Sequence, residues 1–452
     1  MFKKASQENL EDIPKSESRS LRSEAPSEGQ SLTFAFVAAF AFAVYFRPHE
    51  FYPNTPVVNS LPMITAVGAL ISYLAAQILR GRIIGILSFE VKCLYVMGGF
   101  ALLTIPLARD PELALTRFND ALLPLLLMFF VTTNVLTNLR RIRILMYLGV
   151  AIGIYLSYQT YDLYNRGIFE IEGYRVVVHY GGMFGNPNDM SLHLVMFVPV
   201  AIGLALWTKN IFFRVVLLSG ALLMLIAVTL TQSRSGLIGI ATIGIALLSR
   251  LGRGQKLKAL AVTIGALVVL VMFAPGNLGS RIVSIFDSSL DASGSYSQRQ
   301  DALTRSLLAT VRNPLGVGLG NSVLFGPMNL ETHNAYTQVS SELGVIGFAA
   351  YLAMILYPLR SLSRLEKELF ANAENDRIYY LVVTTWAAII GYLITSFFGS
   401  VAYLWFIYYP IAFAIGLRRI ISARVQNNDT ETAANETFTD LRRGLPATKD
   451  RN

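Results

Sequence analysis

The side chains with the greatest chemical reach in this chain fall in short runs: GNPND at residues 185–189, TQSRSG at 231–236 and THN at 332–334. His333 stands immediately before a predicted helix that Thr332 or Asn334 could cap. A helix N-terminus offers unpaired amide donors and partial positive charge, which favours a bound anion and disfavours a protonated imidazole. A neutral histidine there could serve as general base towards an incoming hydroxyl; the plainer alternative is a capping or interfacial histidine. Arg234 lies between two apolar runs, so near the membrane that its charge needs a partner or a wet cavity, which makes it a functional candidate. Its plainer alternative is an arginine snorkelling to headgroups.

The other three of the four histidines carry less. His193 falls inside an apolar run and reads as a packing residue, His179 lies in a loop, and His49 sits in the turn-prone RPHEFYPN. HExxH, CxxC and closely paired aspartates are all missing, and Asp287, Asp291 and Asp301 are spread along a loop. No metal site and no cofactor are therefore expected. What remains is chemistry by arginine and histidine.

The elements that must position these groups are helices in a membrane. The chain is 53% hydrophobic and 15% charged, with mean hydropathy +0.49, whereas a soluble domain carries about 25% charged residues. Apolar runs recur at the length a helix needs to cross the hydrocarbon core, and only helices satisfy their backbone groups within one segment there. The expected fold is all-α, a polytopic bundle of about twelve spans near 31–46, 57–79, 90–107, 120–138, 142–160, 187–207, 212–232, 235–249, 258–274, 335–359, 377–397 and 401–423. Residues 1–30 and 425–452 read as disordered cytoplasmic tails around a bundle over 31–424, and the first is too polar for a secretory signal. Cys93 is the single cysteine, so no intrachain disulfide staples the loops.

The formal charge of +9 sits between the spans rather than on one face, which speaks for topology and against nucleic acid. With both tails cytoplasmic, every inner connection is basic: Arg80 and Arg82; Arg140, Arg141 and Arg143; Lys209 and Arg214; Arg250, Arg253, Lys256 and Lys258; Arg360, Arg364, Lys367 and Arg377. All nine lysines fall in tails, inner connections or, for Lys92, near an inner span end. The basic residues left for the outer side are all arginine, whose planar fork grips a phosphate at two points. Drift in composition is the alternative.

Two outer loops are long, at 161–186 and 275–334. The first carries Arg166, Arg175, His179 and Tyr180 and ends in GNPND. The second holds SQRQDALTRSLLATVRNPLGVGLGNSV, in which residues 297–312 predict an amphipathic helix with Leu303, Leu307, Leu308 and Val311 on one side and Arg305 and Arg312 on the other. That helix is expected to lie against the outer mouth of the bundle.

In order, GNPND, TQSRSG, SQRQDAL, NPLGVGLGN and HNAYTQVSSELGVIGFAAYL resemble the O-antigen ligase and O-antigen polymerase superfamily of bacterial envelope glycosyltransferases. The resemblance spans roughly residues 180–360. It implies transfer of a glycan from an undecaprenyl diphosphate carrier to an acceptor hydroxyl, on the periplasmic face of the inner membrane. By it, Arg234 and Arg299 match the arginines that bind the diphosphate, with Arg305 close behind Arg299, and His333 matches the base. Gln232, Asn188, Arg175 and Asn334 are the supporting polar residues. Two arginines can stabilise a departing diphosphate without metal, a base assists the weakly acidic hydroxyl, and attack opposite the diphosphate inverts the anomeric carbon. The acceptor would be lipid A core for a ligase, or another lipid-linked repeat for an O-antigen or exopolysaccharide polymerase. A small-anion transporter is the rival from another class, although it has no need of His333 or the long loop.

Overall fold

The structure, a computed structural model, describes residues 28–52, 54–81, 85–169, 171, 173–178, 182–251, 265, 295–325, 332–370 and 377–425. Among the described residues the apolar runs, and one amphipathic stretch at Ser295–Arg312, fold as helices. In chain order these are α1 (Glu28–Phe46), α2 (Leu61–Leu79), α3 (Phe89–Thr104), α4 (Leu123–Val135), α5 (Leu139–Asn165), α6 (Pro187–Trp207), α7 (Ile211–Leu230), α8 (Arg234–Leu251), α9 (Ser295–Arg312), α10 (Ala335–Phe370), α11 (Ile378–Thr395) and α12 (408–425). A short helix, Pro111–Arg117, and a π turn, Phe118–Leu122, lead into α4. There is no strand among the described residues, only an isolated bridge between Ile171 and Arg175.

Among the described residues, eight helical segments are long and apolar enough to cross a membrane, and α1 adds a shorter apolar helix. The chain is an integral membrane protein. The expected twelve spans are not reached by length and hydropathy among the described residues, and the one expected at 258–274 lies outside them, as do nearly all of both tails. α5 and α12 stand where spans were expected, but each brings charge into its helix, Arg141 and Arg143 in one and Arg418 and Arg419 in the other.

α6 is the hub, buried along almost its whole length and packed against α5, α7, α8 and α11. α1 packs on α2, and α10 packs on α3, α9 and α11. The outward faces of α2 and α7 show Met63, Ile71, Ile78, Phe212 and Phe213, side chains that only a lipid surround leaves at ease.

The bundle has two chemically different ends. At one, Arg377 Nη1 donates to the carbonyls of Trp207 (3.3 Å) and Thr208 (2.9 Å). There too Arg250 pairs with Glu366, the Tyr379 hydroxyl donates to the Arg250 carbonyl, and Arg143 lies 3.7 Å over the Trp207 ring. Arg418 makes a two-point pair with Glu90 nearby, at 2.8 and 3.2 Å. Arg143, Arg250 and Arg377, each from a basic connection expected from sequence, thus meet at this end. The starts of α6, α8 and α10 and the ends of α7 and α11 lie at the other.

A kink in α10 shapes that opposite end. Gly344 breaks the helix at φ 67°, ψ −170°, a conformation suited to glycine, and the freed backbone receives the NPLGVGLGN loop. Val317 N donates to Ser341 O (2.8 Å), Gly318 N to Glu342 O (3.1 Å) and Val345 N to Pro314 O (2.9 Å). The backbones meet so closely that a Cβ on Gly316 would stand 2.4 Å from Glu342 O, and one on Gly344 2.3 Å from Pro314 O. Ser322 then donates to the buried Glu342 carboxylate at 2.6 Å. Asn321 exchanges two bonds with the backbone of Asp110, at 2.8 and 3.0 Å, tying the loop to the helix Pro111–Arg117.

Candidate functional site

GNPND is a helix start. Asn186 caps α6, its side chain accepting from Asn188 N at 2.9 Å, Pro187 takes the first helical position, and Asp189 places negative charge in the first turn. TQSRSG is a tight corner between antiparallel helices. Thr231 closes α7, Gln232 takes the left-handed conformation at φ 51°, and Ser233 caps α8 by accepting from Gly236 N at 3.2 Å. Arg234 is the first residue of α8 and half-buried.

Side chains lace these two starts together. Asn188 Oδ1 accepts from Ser233 Oγ (2.7 Å) and from Arg175 Nη2 (3.3 Å). Arg175 is buried, and its Nε donates to Thr231 O at 3.2 Å. Gln232 Nε2 donates to Tyr174 O (3.1 Å), and the hydroxyls of Ser191 and Thr231 meet at 2.8 Å. Of the loop expected at 161–186, residues up to 165 continue α5, while Val176, Val177 and Val178 are buried and Arg175 is a wedge between helix ends. His179 and Tyr180 lie outside the described residues.

THN reaches the same end. Asn334, rather than Thr332, caps α10, its Oδ1 accepting from the backbone N–H of Tyr336 (2.9 Å) and Thr337 (3.1 Å). His333 precedes the cap in the left-handed conformation at φ 49°, half-buried, and its backbone N–H donates to Ser400 Oγ at 2.9 Å. Ser400 also meets the Thr332 hydroxyl at 3.2 Å. The residue before Ser400 lies close to GNPND: a Cβ built on Gly399 would lie 3.2 Å from Asp189 Oδ1. Hydrogen bonds and one close approach, that of Gly399 to Asp189, therefore link the Arg234 corner through Ser233 and Asn188 to Ser400 and His333.

The loop arginines divide. Arg299 falls on α9, but its side chain lies outside the described ones. Arg305 pairs with Asp301 one turn earlier, at 3.6 Å, in an exposed setting worth little to stability. α9 itself packs on α10, where Thr310 and Ser340 hydroxyls meet at 3.0 Å. The predicted helix exists, but its bundle-facing side is not the leucine side. Ser306 and Ala309 are buried, while Leu307, Leu308 and Val311 are exposed. Small residues allow close approach to α10, which the bulky face would prevent.

His193 is fully buried among the rings of Tyr45, Phe184, Phe197 and Phe406, as a packing residue, with no hydrogen-bond partner for either ring nitrogen among the described residues. His49 lies in the helix Pro48–Phe51, where partial burial first and the Arg47 charge second hold its imidazole below the usual value. Ser191, Ser233, Asp189 and Ser400 were not singled out from sequence. Ser233 could have been found as the cap after an α7 end and Asp189 as a first-turn acid, whereas Ser400, in FFGSVAY, carries no local signal.

Cation donors, neutral amides and hydroxyls thus crowd two helix N-termini and a third cap, an arrangement suited to an anion and to sugar hydroxyls. Among the described residues there is no group of three His, Cys, Asp or Glu side chains placed to hold a metal ion. Compared with known proteins, residues 219–352 match the model of the O-antigen ligase family. No curated protein matches the chain. The matched stretch begins within α7, takes in the Arg234 corner, α9, the glycine-rich loop and His333, and ends within α10. The match over that stretch supports the O-antigen ligase superfamily that the ordered motifs resemble.

Proposed function

We propose that this protein transfers a glycan from undecaprenyl diphosphate to an acceptor hydroxyl at the periplasmic face of the bacterial inner membrane, as an O-antigen ligase acting on lipid A core. The observation that supports it most is that the Arg234 corner and His333 lie at one end of the bundle, linked by hydrogen bonds and a close approach, opposite the end where Arg143, Arg250 and Arg377 meet. Under the positive-inside rule the basic end is cytoplasmic, and the arginine and histidine end faces the periplasm.

Arg234, with Arg299 or Arg305 from α9, grips the diphosphate. Asn188, Arg175 and Gln232 hold the corner that presents Arg234, and Asn334 shapes the helix start beside His333. The acceptor oxygen bonds to the anomeric carbon as the bond from that carbon to the diphosphate oxygen breaks. Its proton passes to the His333 imidazole, and the electron pair leaves on undecaprenyl diphosphate, whose charge the arginines stabilise. Attack from the opposite face inverts the carbon. Arginine supplies the charge that a divalent ion supplies elsewhere, so transfer is metal-independent.

The test is a reconstitution. Purified protein is incubated with undecaprenyl diphosphate glycan and either lipid A core or a second lipid-linked repeat, with and without chelator. Inverted glycan on lipid A core, unaffected by chelator, is the expected product. Elongated carrier would make the protein a polymerase, no transfer to any acceptor would defeat the proposal, and activity lost to chelator and restored by a divalent ion would overturn the metal-free mechanism.

A further inference from the structure

The apolar side of α9 points away from the protein. Leu307, Leu308 and Val311 are 49%, 47% and 78% exposed, and Leu315 just beyond the helix is exposed too. They occupy one arc of the helix, while Ser306 and Ala309 occupy the buried arc against α10. Arg305, Asp301 and Arg312 border the leucine arc along one edge. Four bulky apolar side chains facing water would be a costly choice for a helix that already has a protein contact on its other side.

The surface next to that arc decides what covers it. Val345 donates its backbone N–H to Pro314 O, immediately before Leu315, so the end of α9 and the kink of α10 are stitched together. At that point α10 shows Val345 and Ile346, both exposed, on a helix long and apolar enough to cross the membrane. The exposed apolar side chains at the end of α9 therefore adjoin the exposed Val345 and Ile346 of α10 where the two elements are joined. We infer that α9 is an interfacial membrane helix, with Leu307, Leu308 and Val311 seated among the acyl chains of the bilayer at the level where they meet the headgroups, and with Arg305 and Arg312 reaching to anionic headgroups.

An amphipathic helix of this kind lies in the plane of the interface with its apolar side buried about 5–10 Å into the headgroup and acyl boundary, its cations drawn to anionic lipid. The consequence for the site is one of depth. A lipid-linked diphosphate carries its charge at headgroup level, and a seated α9 holds the backbone of residues 299 and 305 at that same level. The inference stands on the exposed arc and its junction with α10, so it survives if the glycan donor proves to be another molecule.

The chain's single cysteine, Cys93, is buried, which leaves a clean background for site-directed spin labelling. Full-length protein bearing Leu308→Cys, Val311→Cys, Arg312→Cys or Ile346→Cys is labelled with a nitroxide and placed in phosphatidylethanolamine and phosphatidylglycerol vesicles. Cys93→Ser is added throughout if the unsubstituted chain takes up label. Collision with oxygen, which concentrates among acyl chains, is compared with collision with a water-soluble nickel chelate. Labels at 308 and 311 should favour oxygen several-fold, as the label at 346 does, and the label at 312 should favour nickel. Nickel preference at 308 and 311 would put that face in water, and poor access by both reagents would mean that protein covers it; either result overturns the inference.

Discussion

A single amide oxygen, Asn188 Oδ1, accepts both the Ser233 hydroxyl at 2.7 Å and the Arg175 guanidinium at 3.3 Å. That shared acceptor fastens the start of α6 to the start of α8 and clamps the incoming loop across both. Since Ser233 caps α8 directly before Arg234, an asparagine on a neighbouring helix holds the helix start that carries Arg234.

Asn188→Ala should therefore impair transfer without unfolding the protein. A buried donor left without its acceptor costs about 1–3 kcal/mol, so the thermal midpoint in detergent should fall modestly while glycan transfer falls at least about tenfold. Asn188→Asp, which keeps an acceptor at that place, should recover most of the midpoint. Equal activity in wild type and Asn188→Ala would show that the corner needs no such tie.

His333 is best tested with two substitutions. Its φ of 49° is easy for glycine and strained for other residues, so His333→Gly keeps the backbone and its bond to Ser400 while removing the imidazole. Both His333→Gly and His333→Ala should lose about 10²-fold or more of transfer, the usual contribution of a positioned base, with donor binding retained. Near-normal rates in the glycine variant would remove His333 from the chemistry.

Arg234→Lys separates two-point grip from bare charge. An ammonium cannot span two phosphate oxygens as a guanidinium does, and a lost charge-assisted bond is worth about 1.5–3 kcal/mol, which predicts a drop of about ten- to a hundredfold in kcat/KM for the lipid-linked donor. A lysine variant as active as wild type would assign Arg234 to headgroup anchoring alone.

Gly344→Ala probes the join between loop and kinked helix. The added methyl would meet Pro314 O at 2.3 Å, and the left-handed backbone there adds strain of about 1–3 kcal/mol, so the midpoint should fall by several degrees and transfer with it. Gly81→Ala, another positive-φ glycine but with open space around it, is the control and should cost much less.

Much of this architecture was readable from the chain alone. Long apolar runs compel helices because backbone groups in lipid have no other partner, and cap residues such as Asn186 and Asn334 mark where helices begin through local hydrogen bonds that neighbouring residues alone can make. The ordered motifs likewise pointed to the family, and Arg234, Gln232, Asn188, Arg175, Asn334 and His333 all occur along the end of the bundle where the motifs meet. What needed the folded molecule was everything that depends on separation in sequence without local signal. Nothing in FFGSVAY announces that Ser400 will hold the backbone of His333, and nothing in the segment before GNPND says that Arg175 turns inward to Asn188. The leucine pattern of α9 revealed an amphipathic helix but not which side would meet protein. Periodicity reports that two faces differ, whereas in a membrane the bulky apolar face has two possible hosts, and the small residues Ser306 and Ala309 settled the choice by allowing closer approach to α10.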